Sequence, residues 1–100
     1  MPFILRKSKR KGKRYEIVMP EYKHSHHFGS DVGETYIDHK DKDKKKAWIA
    51  RHKNDKNYNS FHSGIFHSRN LLWSAETLTK AIRRYKKLFG RDIKNESGDK

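Results

Sequence analysis

An excess of basic side chains limits the folds open to this chain more than any other feature of its sequence. The 100 residues include 25 Lys or Arg and 12 Asp or Glu, so the formal net charge is +13. Like charges at this density repel one another and destabilise a compact state. Only 32% of the residues are apolar, so we expect one small core with strongly cationic outer faces. The surplus charge indicates a partner that carries negative charge: a phosphate backbone, an anionic membrane surface or an acidic protein face.

Residue types that the sequence lacks disfavour several classes of protein. There is no cysteine, which excludes disulfides and thiolate metal sites. No apolar run approaches the roughly 20 residues of a membrane-spanning helix. Residues 1–5 are too few for the ~7–15 apolar residues of a signal-peptide core. We therefore expect a protein that is neither secreted nor inserted in a membrane, and that uses no cofactor and no small-molecule substrate.

The apolar pattern of the first third predicts a small N-terminal antiparallel meander. Residues 3–6 and 15–19 contain strand-forming side chains, and Gly12 lies between them as a natural turn residue, so they predict a hairpin. Residues 24–28 are expected to return as a third strand. Such a meander has one face available for packing against helices.

Two helices are predicted to pack on this meander, which makes the expected fold class α+β. The first, over residues 41–54, begins at Asp38 or Asp41 as N-cap and contributes Trp48 to the core. The segment from 64 to 73 is apolar, and its periodicity does not decide between a short helix and an extended strand.

The C-terminal amphipathic helix has the clearest sequence pattern. Ser74 is expected as its N-cap and Gly90 as the residue that ends it. Its apolar positions recur at helical spacing and form one face; they are Leu78, Ala81, Ile82, Tyr85, Leu88 and Phe89.

Three segments follow from this pattern: residues 1–14 as a basic arm and first hairpin strand, 15–90 as a single domain, and 91–100 as a polar tail. The predicted core draws on all the elements of that domain. It consists of Ile17, Met19, Phe28, Tyr36, Trp48, Ile49, Leu71, Leu72, Trp73, Leu78, Ile82, Tyr85 and Phe89.

Three basic surfaces are the candidate sites for binding a partner or a phosphate group. They are the hairpin, the central helix and the outer face of the C-terminal helix. The acidic residues are too few to balance them, which favours an external anion over simple solvation. The candidate residues are Arg6, Lys7, Lys9, Arg10, Lys11, Lys13, Arg14, Lys44, Lys45, Lys46, Arg51, Lys80, Arg83, Arg84 and Lys87.

Seven histidines raise the alternative of a metal site. His24 and His26 would lie on one strand face and supply two ligands to a zinc ion. Because no thiolate and no recognised ligand spacing accompany them, we interpret the histidines as surface or half-buried groups and predict no metal ligand.

Catalytic chemistry has weaker support. His39, Asp41, His52 and Asn54 suggest a metal-dependent nuclease, but they have no fixed motif order, and no phosphate-binding Gly-rich loop or Ser/His/Asp set is present. We predict no catalytic residues. Trp48 and Trp73 are interpreted as core residues, with stacking on unpaired bases as the alternative.

An ordered series of short motifs resembles a family of small basic proteins from large nucleocytoplasmic double-stranded DNA viruses. The series runs from Phe28-Gly29-Ser30 through Tyr36-Ile37-Asp38-His39-Lys40-Asp41 to Trp48-Ile49-Ala50-Arg51-His52, and continues with an apolar segment over 64–73 and Thr77-Leu78. The resemblance covers residues 13–90. It implies a virus that builds a large particle and offers no catalytic residues to transfer.

This setting leads to two expectations for function. The first is a non-enzymatic virion protein, a minor capsid or shell-cementing component that binds acidic surfaces of other virion proteins. The alternative is a protein that binds and condenses double-stranded DNA without sequence preference. In both cases the expected location is the virion, assembled in the host cytoplasm or nucleus.

Overall fold

A computed structural model describes residues 1–60 and 62–100 and confirms the α+β class. Four strands form one sheet in the order β3-β2-β1-β4, in which β4 is parallel to β1 and the other pairs are antiparallel. In chain order the elements are β1 (Phe3–Lys7), β2 (Lys13–Met19), a 3-10 turn (Pro20–Tyr22), β3 (His24–Ser30), α1 (Tyr36–His39), α2 (Lys42–His52), α3 (Gly64–His67), a π-helical segment (Ser68–Leu72), α4 (Leu78–Phe89) and β4 (Ile93–Asn95).

The predicted meander is confirmed, and its alternating pattern explains how the sheet is packed. Leu5 pairs with Ile17, and Tyr15 pairs with Phe28; all four side chains are buried on one face. Gly12 has a φ of +84° in the β1–β2 turn, a conformation that suits glycine because it has no Cβ. Burial on that face fixes the strand register, since a slip of one residue would expose every core side chain.

Helix α2 begins and packs as the sequence predicted. The side chain of Asp41 accepts hydrogen bonds from the backbone N–H groups of Asp43 and Lys44, at 2.9 and 3.3 Å. Trp48 is the buried residue of this helix. Its ring stacks on Trp73, with centroids 5.1 Å apart and planes inclined by 12°, so both tryptophans are core residues.

Helix α4 ends at Gly90 as predicted but begins three residues later than expected. Gly90 has a φ of +66°, and its N–H donates to the Lys86 carbonyl at 2.8 Å. The N-cap is Thr77, whose hydroxyl accepts from the Lys80 N–H at 3.1 Å. The prediction of Ser74 as N-cap was wrong, because its hydroxyl instead donates to the Asn70 carbonyl at 2.8 Å.

The core is built largely from the predicted residues. Ile49 and Ile82 are only partly buried. Phe89 was placed wrongly, since 45% of its surface is exposed at the C-terminal end of α4. Among the described residues, seven buried apolar side chains were absent from the predicted core: Phe3, Leu5, Tyr15, Tyr58, Phe66, Ala81 and Ile93.

The C-terminal ten residues contain a strand where a polar tail was expected. The Phe3 N–H donates to Asp92 O at 2.9 Å, and the Glu96 N–H donates to Leu5 O at 2.7 Å. The Tyr15 hydroxyl also donates to Asp99 Oδ2 at 2.5 Å. This strand is held mainly by backbone hydrogen bonds. Ile93 is its buried apolar residue, so the sequence has no alternating apolar pattern that would predict a strand.

Candidate anion-binding surface

Arg14, one of the predicted partner-binding residues, is matched by a carboxylate within the chain. Its Nη1 and Nη2 donate to the two carboxylate oxygens of Asp38 at 2.7 and 2.9 Å. The backbone N–H and the hydroxyl of Thr35 also donate to Asp38. The Arg14 hydrogen bond, with the bonds from Thr35, lowers the pKa of Asp38 to about 2. This pair joins β2 to α1, so Arg14 has a structural contact of its own.

The rest of the hairpin divides into paired and unpaired bases. Arg6 donates to Glu16 at 2.8 Å, and Lys7 lies 3.9 Å from Asp99. Within residues 1–60 and 62–100, no ion pair involves the four bases around the Gly12 turn. These exposed residues, which we call the hairpin cations, are Lys9, Arg10, Lys11 and Lys13.

The predicted basic residues of α2 face different surroundings. Lys44 and Arg51 line a small cavity of about 270 Å³ together with Glu34, and Lys46 is exposed. Lys45 is partly buried, and its Nζ lies 4.8 Å from the centroid of the Tyr36 ring. The structure therefore separates Lys45 from the other bases of its helix.

Lys45 of α2 and Arg84 of α4 both donate hydrogen bonds to the short stretch of chain between α3 and α4. Lys45 Nζ donates to the Ser74 carbonyl at 3.1 Å, and Arg84 Nη1 donates to Asn70 Oδ1 at 3.0 Å. The Ser74–Asn70 hydrogen bond joins these two anchor residues. Both cations are thus held by neutral oxygens, which fix their positions without cancelling their charge. With Arg69 they form what we call the cation cluster.

The π-helical segment places the polar residues of this cluster. Asn70 is 1% exposed, and its Nδ2 donates to the Phe66 carbonyl at 2.9 Å. Its oxygen is therefore directed to Arg84. Arg69 lies over the Tyr58 ring at 4.6 Å and donates to Asn59 Oδ1 at 3.4 Å. π-Helical turns are rare and are often found at functional sites.

Burial and mutual repulsion both act on the cluster. Burial lowers the pKa of Lys45, and the charges of Arg84 and Lys42 lower it further, while Glu76 opposes them. Burial also lowers the pKa of Arg84, with a further contribution from Arg69. These directions mean that the folded protein holds the charged forms at a cost. An external anion nearby would relieve that cost.

The cluster continues into a groove on the outer face of α4. The groove has a volume of about 520 Å³ and is lined by Lys80, Arg83, Arg84, Lys87 and Leu88. Arg84 belongs to both features, so it links the cation cluster to the groove.

Sequence reasoning found part of this surface. It included Lys45 and the bases of α4 but missed Arg69 and the polar anchors Asn70 and Ser74. Three adjacent polar residues, Ser68, Arg69 and Asn70, interrupt the most apolar stretch of the chain, and this was the available signal.

The histidines named in the metal and nuclease alternatives lie in separate surroundings. The rings of His24, His26 and His62 gather with centroids 5.9 to 6.5 Å apart. Outside position 61, no group of three or more His, Asp or Glu side chains is placed to hold a metal ion. His39 Nδ1 accepts from the Asp41 N–H, and His52 Nδ1 lies 2.6 Å from Asp55 Oδ2, so these histidines point to different neighbours. The described helices include none long and apolar enough to cross a membrane.

The fold and its surface define a small α+β protein with a cation cluster that adjoins a basic groove on α4. Residues 3–52 match the model of a family of unknown function (DUF5754), and the chain belongs to that family. The matched half supplies β1 to α2, and so the hairpin cations and Lys45, whereas Arg69 and Arg84 lie beyond it. No curated protein and no solved structure matches the chain.

Proposed function

We propose that this protein is a non-enzymatic component of a viral particle that binds the phosphate backbone of double-stranded DNA without sequence preference. One observation carries the proposal: Lys45 and Arg84 are partly buried and held on neutral oxygens, and Arg84 also lines the α4 groove with the exposed bases Lys80, Arg83 and Lys87. A phosphate backbone offers regularly spaced anions that match such a surface. The viral setting rests on the motif resemblance.

The salt dependence of binding tests this proposal. Binding of a duplex of arbitrary sequence should weaken steeply with salt, because each neutralised phosphate releases counterions. We expect log K to fall against log salt concentration with a slope of several units, about 0.9 for each contact. A slope near zero would overturn the proposal. Arg6→Gln is a suitable control, since Arg6 is already paired with Glu16 and should contribute little.

A role in the shell of the particle is a second candidate, favoured by exposed apolar side chains next to the groove. Leu88 and Phe89 are 54% and 45% exposed, and Leu88 lines the groove with Lys87. Mixed apolar and basic surfaces suit an acidic protein face better than a phosphate backbone. The protein should then remain with capsids after nuclease releases the genome, and Leu88→Ser should weaken that association. Loss of the protein together with the DNA would contradict the shell role.

A further inference from the structure

The cation cluster differs from ordinary surface bases in how its members are satisfied. Exposed lysines and arginines are hydrated and mobile, and they gain little from a fixed position. Lys45 and Arg84 are instead partly buried and anchored, on Ser74 O and Asn70 Oδ1. Water is partly removed from them, while no ion pair in the described ranges includes them. Their charge is therefore positioned but not neutralised.

We propose that Lys45 and Arg84 form a discrete binding site for one phosphate group, with Arg69 at its edge. The inference rests on the proposed function, because the phosphate is taken to be one group of the DNA backbone. It goes further in stating that a single position is bound by specific hydrogen bonds, whereas the rest of the surface acts through general electrostatic attraction.

The donors left on the two side chains fit a phosphate. One guanidinium nitrogen of Arg84 donates to Asn70, which orients the planar fork and leaves its other N–H groups for a ligand. Lys45 donates one N–H to Ser74 and has two more. A phosphate has several acceptor oxygens and can accept from both side chains at once, and arginine matches its geometry with two parallel bonds.

The anchors also fix the spacing of the two donors before any ligand arrives. Asn70 and Ser74 lie four residues apart and are joined by the hydrogen bond from the Ser74 hydroxyl to the Asn70 carbonyl, at 2.8 Å. Side chains ordered in advance lose less conformational entropy when they bind. Glu76 is the carboxylate that acts on Lys45, and its effect is the smallest of those on that group.

Thermal unfolding with inorganic phosphate, at ionic strength matched with chloride, tests the site. The control for each variant is a substitution of the neighbouring exposed residue, which has the same charge. Arg84→Gln is compared with Arg83→Gln, and Lys45→Gln with Lys44→Gln. Because glutamine is shorter than arginine, the unfolding temperature of each variant without phosphate serves as its own reference. We expect phosphate to raise the unfolding temperature of the natural protein and of both controls. The unfolding temperatures of Arg84→Gln and Lys45→Gln should be the same with and without phosphate.

Duplex binding by the same variants provides the second readout. Losing hydrogen bonds from a charged donor should weaken duplex affinity at least about tenfold in Arg84→Gln, against about threefold for the loss of general attraction in Arg83→Gln. Arg84→Lys keeps the charge but not the planar fork. We expect it to lose most of the response to phosphate.

Two results would overturn the site. They are equal responses to phosphate in Arg84→Gln and Arg83→Gln, and an undiminished response in Arg84→Lys. Steep salt dependence of duplex binding without a selective phosphate response would refute the site and leave the proposed function standing. A selective response without duplex binding would refute the proposed function and identify free phosphate as the ligand.

Discussion

The hairpin cations and the cation cluster are both positively charged, but they differ in how far their head groups are exposed to solvent and fixed in position. Lys9, Arg10, Lys11 and Lys13 project from a tight turn into solvent, with no oxygen that fixes their head groups among the side-chain hydrogen bonds of the described residues. The cluster has fewer charges, but they are partly buried and held at set positions. Solvated charges attract at a distance and are screened by salt, whereas fixed donors act at contact. The comparison teaches that net charge alone does not indicate which bases recognise a partner.

The largest expected effect comes from removing the solvated set. Replacing all four hairpin cations with glutamine should make the salt dependence of duplex binding less steep by up to about 3.6 units, because each of the four lost phosphate contacts contributes about 0.9. Affinity at low salt should fall at least about 100-fold. The measurement is a titration of duplex at several salt concentrations, compared with Arg6→Gln. A slope that does not change would show that the hairpin lies away from the DNA.

A smaller effect is expected where a hairpin base is already neutralised. Asp38→Asn removes the partner of Arg14 and should destabilise the fold by about 1 kcal/mol, a value limited by partial exposure. Because the pKa of Asp38 is lowered to about 2, its stabilising contribution is present above its ordinary value of 3.8 and is lost as the pH falls from about 4 towards 2.

Urea unfolding at pH 7 and at pH 2 measures that contribution. The difference in stability between the natural protein and Asp38→Asn should be present at pH 7 and largely disappear at pH 2. A constant difference would contradict the assigned pair. Asp31→Asn is a control that should leave stability unchanged, because Asp31 is exposed in the loop after β3.

The smallest effect concerns Glu76, a carboxylate that acts on Lys45. Glu76 raises the pKa of Lys45 against the stronger effects that lower it. Glu76→Gln should therefore leave the cluster more repulsive and strengthen phosphate binding by about two- to threefold, the size expected for an exposed charge. Titration of phosphate by calorimetry measures the change, with Glu34→Gln as the control on the other side of α2. Weaker binding in Glu76→Gln would show that Glu76 helps to position Lys45.

Local patterns predicted the regular elements of this fold well. Gly12 between two alternating strands indicated the hairpin, Asp41 indicated the start of α2, and the apolar face from Leu78 to Tyr85 indicated α4. Each of these signals depends on neighbours in the chain, such as a turn, a cap or a helical repeat.

Features that depend on distant partners were not predictable in the same way. Strand β4 is held by β1, ninety residues earlier in the chain, and Ser74 is drawn away from capping by Asn70. Phe89 continues the apolar face of α4 in the last turn of the helix, where it contacts Phe66 and Tyr85 but stays 45% exposed at the rim of a cavity. The cation cluster was missed as a unit because Lys45, Arg69 and Arg84 come from three separate elements.

The π-helical segment makes the cluster sensitive to chain length as well as to side-chain chemistry. A π turn closes its hydrogen bonds between residues five apart, one more than an α turn. Deleting a single residue from Ser68–Leu72 would let the backbone continue as a regular α-helix. The residues of this turn that precede the deletion, Asn70 among them, would then be shifted by one position relative to the residues that follow. Asn70 would no longer face Arg84, so one codon decides whether the two cations share a support.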